Sequence, residues 1–163
     1  MRSDSQPMRS VAVPIIAALA CFAAWMIGGA LTRPNLDWYA TLAKPRFTPP
    51  NIAFPIAWTI LYSLMAVSAW MVWRATAAAS DKKLALTWFG IQLVVGVLWS
   101  VAFFGMHNVA RGLGVVLALL VVIVITIVFF DRVSRVAALL LIPYVMWVCF
   151  ATALSAAIWL LNS

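Results

Sequence analysis

The stretch LGVVLALLVVIVITIVFF, residues Leu113–Phe130, carries no charged side chain. A helix that crosses the hydrocarbon core of a bilayer needs about 20 predominantly apolar residues. A strand of a membrane barrel instead alternates polar and apolar side chains over about ten residues, and this stretch shows no such alternation. Because lipid offers no partners to backbone N–H and C=O groups, the stretch is predicted to be a transmembrane helix.

Four further charge-free runs accompany it along the chain of 163 residues: Val11–Thr32, Ile52–Trp73, Leu84–Met106 and Val136–Leu161. The composition is 66% hydrophobic and 9% charged, whereas about a quarter of the residues of an ordinary soluble domain are charged. The predicted fold class is therefore all-α, a bundle of five transmembrane helices that forms one domain over residues 1–163.

The first run follows a short basic and polar tail, as the apolar part of a secretory signal peptide does. That part of a signal peptide is about 7–15 residues long, and the run Val11–Thr32 is longer. We therefore expect the first helix to be retained.

Basic residues are distributed unequally between the two sides of the predicted bundle. Five helices place the termini on opposite sides, and the side of the N-terminus carries seven basic residues: Arg2, Arg9, Arg74, Lys82, Lys83, Arg132 and Arg135. The other side carries four: Arg33, Lys44, Arg46 and Arg111. Since Lys and Arg are enriched in cytoplasmic loops, we expect a multi-pass protein of a bacterial cell membrane with a cytoplasmic N-terminus. The net charge of +7 indicates anchoring to anionic lipid and no nucleic-acid partner.

The predicted helices contain no carboxylate, lysine, arginine or histidine at membrane depth. Transporters coupled to protons or sodium usually carry such groups inside the membrane, so this class is disfavoured. The same observation leaves no acid–base pair and no cluster of metal ligands. Cys21 and Cys149 lie in apolar runs and are interpreted as small hydrophobic residues.

Aromatic residues form stripes at helical spacing on three of the predicted helices. The second helix carries Trp58, Tyr62 and Met65, the third Gln92, Gly96, Trp99 and Phe103, and the fifth Tyr144, Trp147, Ala151, Leu154 and Ser155. One interpretation is helix packing, since small residues such as those of Ala20-xxx-Ala24-xxx-Gly28, Gly96-xxx-Ser100 and Ala151-xxx-Ser155 allow close approach. The other is a pocket for a flat apolar ligand, oriented by a few polar groups.

The first connection, Arg33–Asn51, contains four prolines and its own aromatic residues, Trp38, Tyr39 and Phe47. Proline fixes φ and interrupts helices, and the apolar rings can anchor the turns. We predict a structured cap over one end of the bundle. The alternative is a loop held in the membrane interface by Trp38 and Tyr39.

The segment from this connection into the next helix, Trp38–Trp70, reads WYATLAKPRFTPPNIAFPIAWTILYSLMAVSAW. It resembles the signature of the translocator protein family, also called tryptophan-rich sensory protein, TspO or peripheral-type benzodiazepine receptor. The residues that carry the resemblance are Trp38-Tyr39, Leu42, Lys44-Pro45, Pro49-Pro50, Pro55, Trp58, Leu61-Tyr62 and Met65. Two further blocks match in order, Ile91–Gly105 and Pro143–Asn162.

The resemblance implies a five-helix bundle, commonly a homodimer, with a ligand pocket beneath the first connection. Relatives bind tetrapyrroles such as protoporphyrin IX and haem, and several bind sterols and benzodiazepine-type drugs. Trp58 and Trp147 match the tryptophans that flank this pocket, and the positions that match its lining are Tyr39, Tyr62, Trp99, Ala151 and Leu154. The expected partner is thus a tetrapyrrole or another flat apolar molecule, with no obligatory cofactor.

In this interpretation the ligand stacks between Trp58 and Trp147, and Gln92 and Tyr144 supply polar groups. The expected rim residues are Lys44, Arg46 and Trp38, where a basic side chain would pair with the propionates of a tetrapyrrole. His107 is the single histidine and is expected at the interface, so binding should not need iron.

The chain departs from the family pattern at Gly96 and Ser155, where relatives usually have asparagine, and it lacks the C-terminal sterol motif of animal members. Sterol transport is a further possibility that this missing motif weakens, and two other functions stay open. One is slow, light-dependent breakdown of porphyrin, which some bacterial relatives are reported to catalyse and which would rest on Trp58 and Trp147 as redox-active rings. The other is a dimeric structural protein that binds partners through its small-residue faces.

Overall fold

The computed structural model describes the backbone from Gln6 to Ser163 and the side chains from Ile15 onward. Its α-helices are α1 (Gln6–Thr32), α2 (Leu36–Thr41), α3 (Ala53–Arg74), α4 (Ala79–Ser100), α5 (Val109–Val133), α6 (Arg135–Leu140) and α7 (Ile142–Asn162). A 3-10 turn over Arg33–Asn35 joins α1 to α2, and a π-helix over Val101–Gly105 continues α4. Arg2 lies outside the described residues, as does the side chain of Arg9.

Five helical stretches are long and apolar enough to cross a membrane, and the described part of the chain contains no strand. The predicted all-α fold class with five spanning helices is therefore confirmed. The helices extend beyond the charge-free runs of the sequence. For example, α4 begins at Ala79 and holds Asp81 in its first turn, where a carboxylate favours the positive end of the helix dipole.

The spanning helices close into a ring. Helix α1 packs against α3 and α4, α4 runs along α5, and α5 packs against α6 and α7. Helix α6 returns to α3 and so completes the ring. This arrangement leaves α1, α3, α4 and α7 facing a common interior.

Pro143 divides the last predicted helix, Val136–Leu161, into α6 and α7. It lies in the first turn of α7, where its missing N–H needs no partner. The chain tightens just before it, because the N–H of Leu141 donates to the carbonyl of Ala138 at 3.0 Å. The helix then resumes, with the N–H of Val145 donating to the carbonyl of Leu141 at 3.1 Å.

The first connection forms a structured cap, as its prolines and rings predict, and Lys44 holds the end of α2. Its Nζ donates to the carbonyls of Tyr39, Ala40 and Leu42 at 2.7, 3.2 and 2.9 Å. It also lies 4.8 Å from the centre of the Tyr39 ring. The lysine therefore satisfies carbonyls that the end of a short helix leaves without intrahelical partners.

Two contacts outside the connection fix this cap to the bundle. The Asn162 side chain at the end of α7 accepts from the N–H of Ala43 at 3.0 Å and donates to its carbonyl at 2.9 Å. His107, in the turn before α5, stacks on Trp38 at 4.6 Å between ring centres. Its Nε2 lies 2.7 Å from Oδ1 of Asn35. The cap is thus held from both α7 and the α4–α5 turn.

The opposite end of the bundle, which we call the packed end, contains the ends of α3 and α5, the start of α4 and all of α6. Val72, Ala85, Phe130 and Ala137 are each 0% exposed there. The Ser68 hydroxyl donates to the carbonyl of Ala137 at 2.7 Å and joins α3 to α6. The packed end therefore anchors the helices whose other halves surround the site.

Candidate functional site

A cavity of about 390 Å³ lies inside the bundle beneath the first connection. Helices α1, α3, α4 and α7 form its walls, the π-helix widens one wall, and α2 covers it. We call this half of the molecule the cavity end. Sites for small molecules usually occupy about 300–1,000 Å³, so the volume is that of a ligand-binding site.

One wall of the cavity consists of aromatic rings. Trp58 lies 5.7 Å from Tyr62 and 6.3 Å from Trp99, between ring centres. Trp99 in turn lies 5.8 Å from Phe103. All four residues line the cavity, and these separations are within the range of favourable ring pairs, about 4.5–7 Å. The wall gives a flat molecule a broad apolar surface on which to stack.

The small residues for which the sequence allowed two interpretations, helix packing or a ligand pocket, also face the cavity. From each of the three motifs two residues line it: Ala24 and Gly28, Gly96 and Ser100, Ala151 and Ser155. A small side chain leaves space beside the neighbouring rings. The small residues of these motifs therefore help to create the cavity.

Two buried polar atoms of residues in the cavity walls have no hydrogen-bond partner among the described residues. They are the hydroxyl of Tyr39, whose side chain is 5% exposed, and Nε1 of Trp99. Both residues line the cavity, as Ala151 and Leu154 do. Buried donors are nearly always paired, and both atoms are almost fully covered by the protein, so they are unpaired groups within the wall and not part of its surface.

Gln92 and Tyr144 lie behind the wall. They are 0% and 2% exposed and are not among the residues that line the cavity. Both polar atoms of the Gln92 amide lack a hydrogen-bond partner in the part of the chain that the structure describes. The Tyr144 ring packs 6.2 Å from Trp58, and a Cβ atom on Gly96 would lie 3.7 Å from its hydroxyl. These two residues support the wall and border it through Trp58 and Gly96.

Trp147 lies outside the cavity wall as well. Its ring contacts Phe54 at 6.1 Å and Phe150 at 5.6 Å, and Phe54 is the ring of this group that lines the cavity. The stacking of a ligand between Trp58 and Trp147, as the sequence suggested, stays a prediction. Trp147 supports the wall through Phe54.

The basic residue that lines the cavity is not one of those predicted for the rim. Lys44 is held by backbone carbonyls, Arg46 is exposed, and neither lines the cavity. Trp38 packs edge-on against Phe103 at 5.7 Å and so supports the wall from outside. The charged residue that does line the cavity is Arg33.

Sequence reasoning also missed Phe104 as part of the wall. Phe103 and Phe104 lie in the π-helix, which is closed by the N–H of Met106 donating to the carbonyl of Val101 at 2.8 Å. Both residues line the cavity. The sequence gives no signal of this turn, whereas Arg33 and Phe54 both border the connection that was recognised as a cap.

The sequence is similar to those of known proteins over most of its length. The sequence profile of the TspO/MBR family matches residues 16–160. The chain belongs to the TspO/MBR family. It is 39% identical over 150 residues to the tryptophan-rich protein TspO of Archaeoglobus fulgidus. The aligned residues are 91% of this chain and 96% of that one.

Proteins of other organisms are also similar to this chain. The protein CrtK of Rhodobacter capsulatus is 39% identical over 137 residues, 82% of this chain and 83% of that one. The human translocator protein is 33% identical over 126 residues, 77% of this chain and 75% of that one. The resemblance found in the sequence is confirmed.

The two departures from the expected TspO/MBR pattern, Gly96 and Ser155, both lie in the cavity wall. Where relatives are expected to present an amide, this chain presents no side chain at one position and a hydroxyl at the other.

Proposed function

We propose that this protein is an integral membrane receptor that binds a tetrapyrrole, such as protoporphyrin IX, in the cavity, with a regulatory or transport role. The observation that carries the proposal is the aromatic wall of Trp58, Tyr62, Trp99 and Phe103 around a volume of about 390 Å³. Flat conjugated rings gain stacking and dispersion energy on such a surface.

Trp58 is the central residue of this proposal. Its ring contacts Tyr62, Trp99 and Tyr144, and it lines the cavity while remaining partly exposed. It is therefore held in place by neighbours on several sides and still presents a surface to a ligand. A ring fixed in this way loses little conformational entropy when the ligand stacks on it.

The ligand would bind within a membrane, in the orientation that the basic residues suggest. Large apolar side chains such as Leu19, Val94 and Val121 are 59–60% exposed on the outside of the bundle, as expected of a surface that contacts lipid. Arg74 and Arg132 stand at the end away from the cavity. By the positive-inside rule the cavity then opens toward the non-cytoplasmic side.

Quenching of tryptophan fluorescence by metal-free protoporphyrin IX in a non-ionic detergent tests the proposal. The wild-type protein should show saturable quenching. Trp58→Phe should weaken the affinity by a few-fold to about tenfold, since it removes stacking area from the wall. Trp147→Phe should weaken it less, because Trp147 acts through Phe54. The protein has nine tryptophans, so affinities and not quenching amplitudes are compared.

Trp70→Phe is the matched control. Trp70 is 42% exposed on the same helix as Trp58, and its ring contacts the Arg74 side chain. Its replacement removes one fluorophore and should leave the affinity unchanged. Non-saturable quenching of the wild type would overturn the proposal. A larger loss from Trp147→Phe than from Trp58→Phe would move the ligand to another site.

A further inference from the structure

Arg33 is the charged residue at the cavity. It lies in the 3-10 turn that follows α1, and it both lines the cavity and is exposed. Every other described residue that lines the cavity is uncharged. Because the turn stands where α1 ends, the guanidinium is near the membrane interface while the rest of the wall extends into the bundle.

The guanidinium of Arg33 also has no hydrogen-bond partner among the described residues. Within the described residues the guanidinium makes no hydrogen bond and no ion pair, and none joins it to Asp37, four residues further along the chain. The contrast with Lys44 is direct, because the Lys44 ammonium donates to three backbone carbonyls. Of the predicted and observed rim cations, Arg33 is thus the one that combines a place in the cavity wall with free donors.

A planar guanidinium offers two parallel N–H donors that match the two oxygens of a carboxylate. The remaining wall is mostly apolar and aromatic, and its uncharged polar residues include Thr32, Asn51, Ser100 and Ser155. We propose that Arg33 makes the cavity selective for ligands that combine a flat apolar body with a peripheral carboxylate, and that it holds this carboxylate at the mouth. This inference rests on the proposed function and specifies its ligand class.

The competing role for Arg33 is a contact with lipid phosphate, because long basic side chains at helix ends reach toward the headgroups. That role predicts no discrimination between acidic and neutral ligands in a non-ionic detergent, where lipid phosphate is absent. Carboxylate selection predicts such discrimination under the same conditions. The two roles therefore differ in one measurable quantity.

The experiment compares protoporphyrin IX, which has two free carboxylates, with its dimethyl ester, which has none. Affinities for both are measured by fluorescence quenching in non-ionic detergent for wild type, Arg33→Gln, Arg33→Lys and Arg46→Gln. For each variant the affinity for the acid is divided by the affinity for the ester, and this acid-to-ester ratio is divided by that of the wild type. The different partitioning of the two ligands into micelles then cancels. Thermal unfolding confirms that each variant is folded.

Arg33→Gln should lower the acid-to-ester ratio by about tenfold, the order expected of a charge-assisted hydrogen bond, and leave the affinity for the ester unchanged. Arg33→Lys should give an intermediate ratio, since it retains the charge and loses the paired donors. Arg46→Gln removes a neighbouring cation that does not line the cavity and should behave as wild type.

An unchanged acid-to-ester affinity ratio in Arg33→Gln would overturn the inference. If the ester still bound in that case, the proposed tetrapyrrole site would stand. An equal fall in Arg46→Gln would also overturn it, because net charge and not Arg33 would then select the acid. If wild type binds neither compound, the proposed function fails and this inference fails with it.

Discussion

The packed end and the cavity end are built from the same helices and yet differ in how they fill space. At the packed end Ala85 and Ala137 are fully buried between neighbouring helices. At the cavity end the residues Gly28 and Ala151 are as small, but they face a space of about 390 Å³. Small residues thus bring helices together in one half of the molecule and leave a void in the other.

The size of the opposing side chains explains the difference. Around the cavity the rings of Trp58, Trp99 and Phe103 pack on one another and keep α3 and α4 apart. At the packed end Phe89 stacks on Phe130 at 5.8 Å between ring centres, so these rings fill the space between α4 and α5. In a membrane, helix association depends largely on such close packing, and a void persists only where rigid groups hold it open.

The largest expected effect comes from adding volume at the packed end. Ala85→Leu places an isopropyl group where the residue is 0% exposed, and overpacking there should cost about 3 kcal/mol of stability, at the upper end of the usual range. Ala118→Leu is the control, because Ala118 is exposed on the outside of α5. Thermal unfolding in detergent should show a large fall in Tm for the first variant and almost none for the second. Equal Tm values would mean that the packed end is not tightly packed.

An intermediate effect is expected at Gly112, which supports the cavity wall from behind. A Cβ atom there would lie 2.6 Å from Cδ2 of Phe103 and 2.9 Å from its Cβ, so Gly112→Ala must displace this ring. We expect a net loss of about 1–2 kcal/mol, since strain of about 1–3 kcal/mol is partly offset by the better helix propensity of alanine. Porphyrin affinity should fall as well, because Phe103 lines the cavity.

Gly114→Ala is the matched control on the same helix. No atom lies within 4 Å of a Cβ built on Gly114, so this change should raise stability by up to about 1 kcal/mol through helix propensity. Both variants are compared by thermal unfolding and by protoporphyrin IX quenching. If the two behaved alike, the close contact between Gly112 and Phe103 would not shape the wall.

The smallest effect on stability is expected inside the cavity itself. A Cβ atom on Gly96 meets only the Tyr144 hydroxyl, at 3.7 Å, which is ordinary contact. Gly96→Ala should therefore keep or slightly raise Tm while it lowers ligand affinity by less than about tenfold, because a methyl group takes up ligand space. A fall in Tm similar to that of Ala85→Leu would remove the distinction between the two ends.

Residue pattern predicted much of the site because helical spacing fixes which residues share a face. Trp58, Tyr62 and Trp99 were placed on such faces and do line the cavity. Spacing does not determine how far a face is turned toward its neighbours, so Gln92, Tyr144 and Trp147 were assigned to the lining and lie behind it. Their burial depends on side chains from other helices, such as Phe54, that the spacing within one helix does not reveal.

The sequence by itself determined that the chain lies in a membrane and how many helices span it. Each helix needs about 20 apolar residues, and the free energy of their transfer into lipid depends on the residues of that segment alone. It also determined the family, through ordered motifs of the first connection and the next helix. The structure decided that Lys44 caps α2 and that a π-helix continues α4, which are both contacts within a few residues of the chain. That Arg33 and Phe104 line one cavity depends instead on helices far apart along the chain, which only the closed ring of helices brings together.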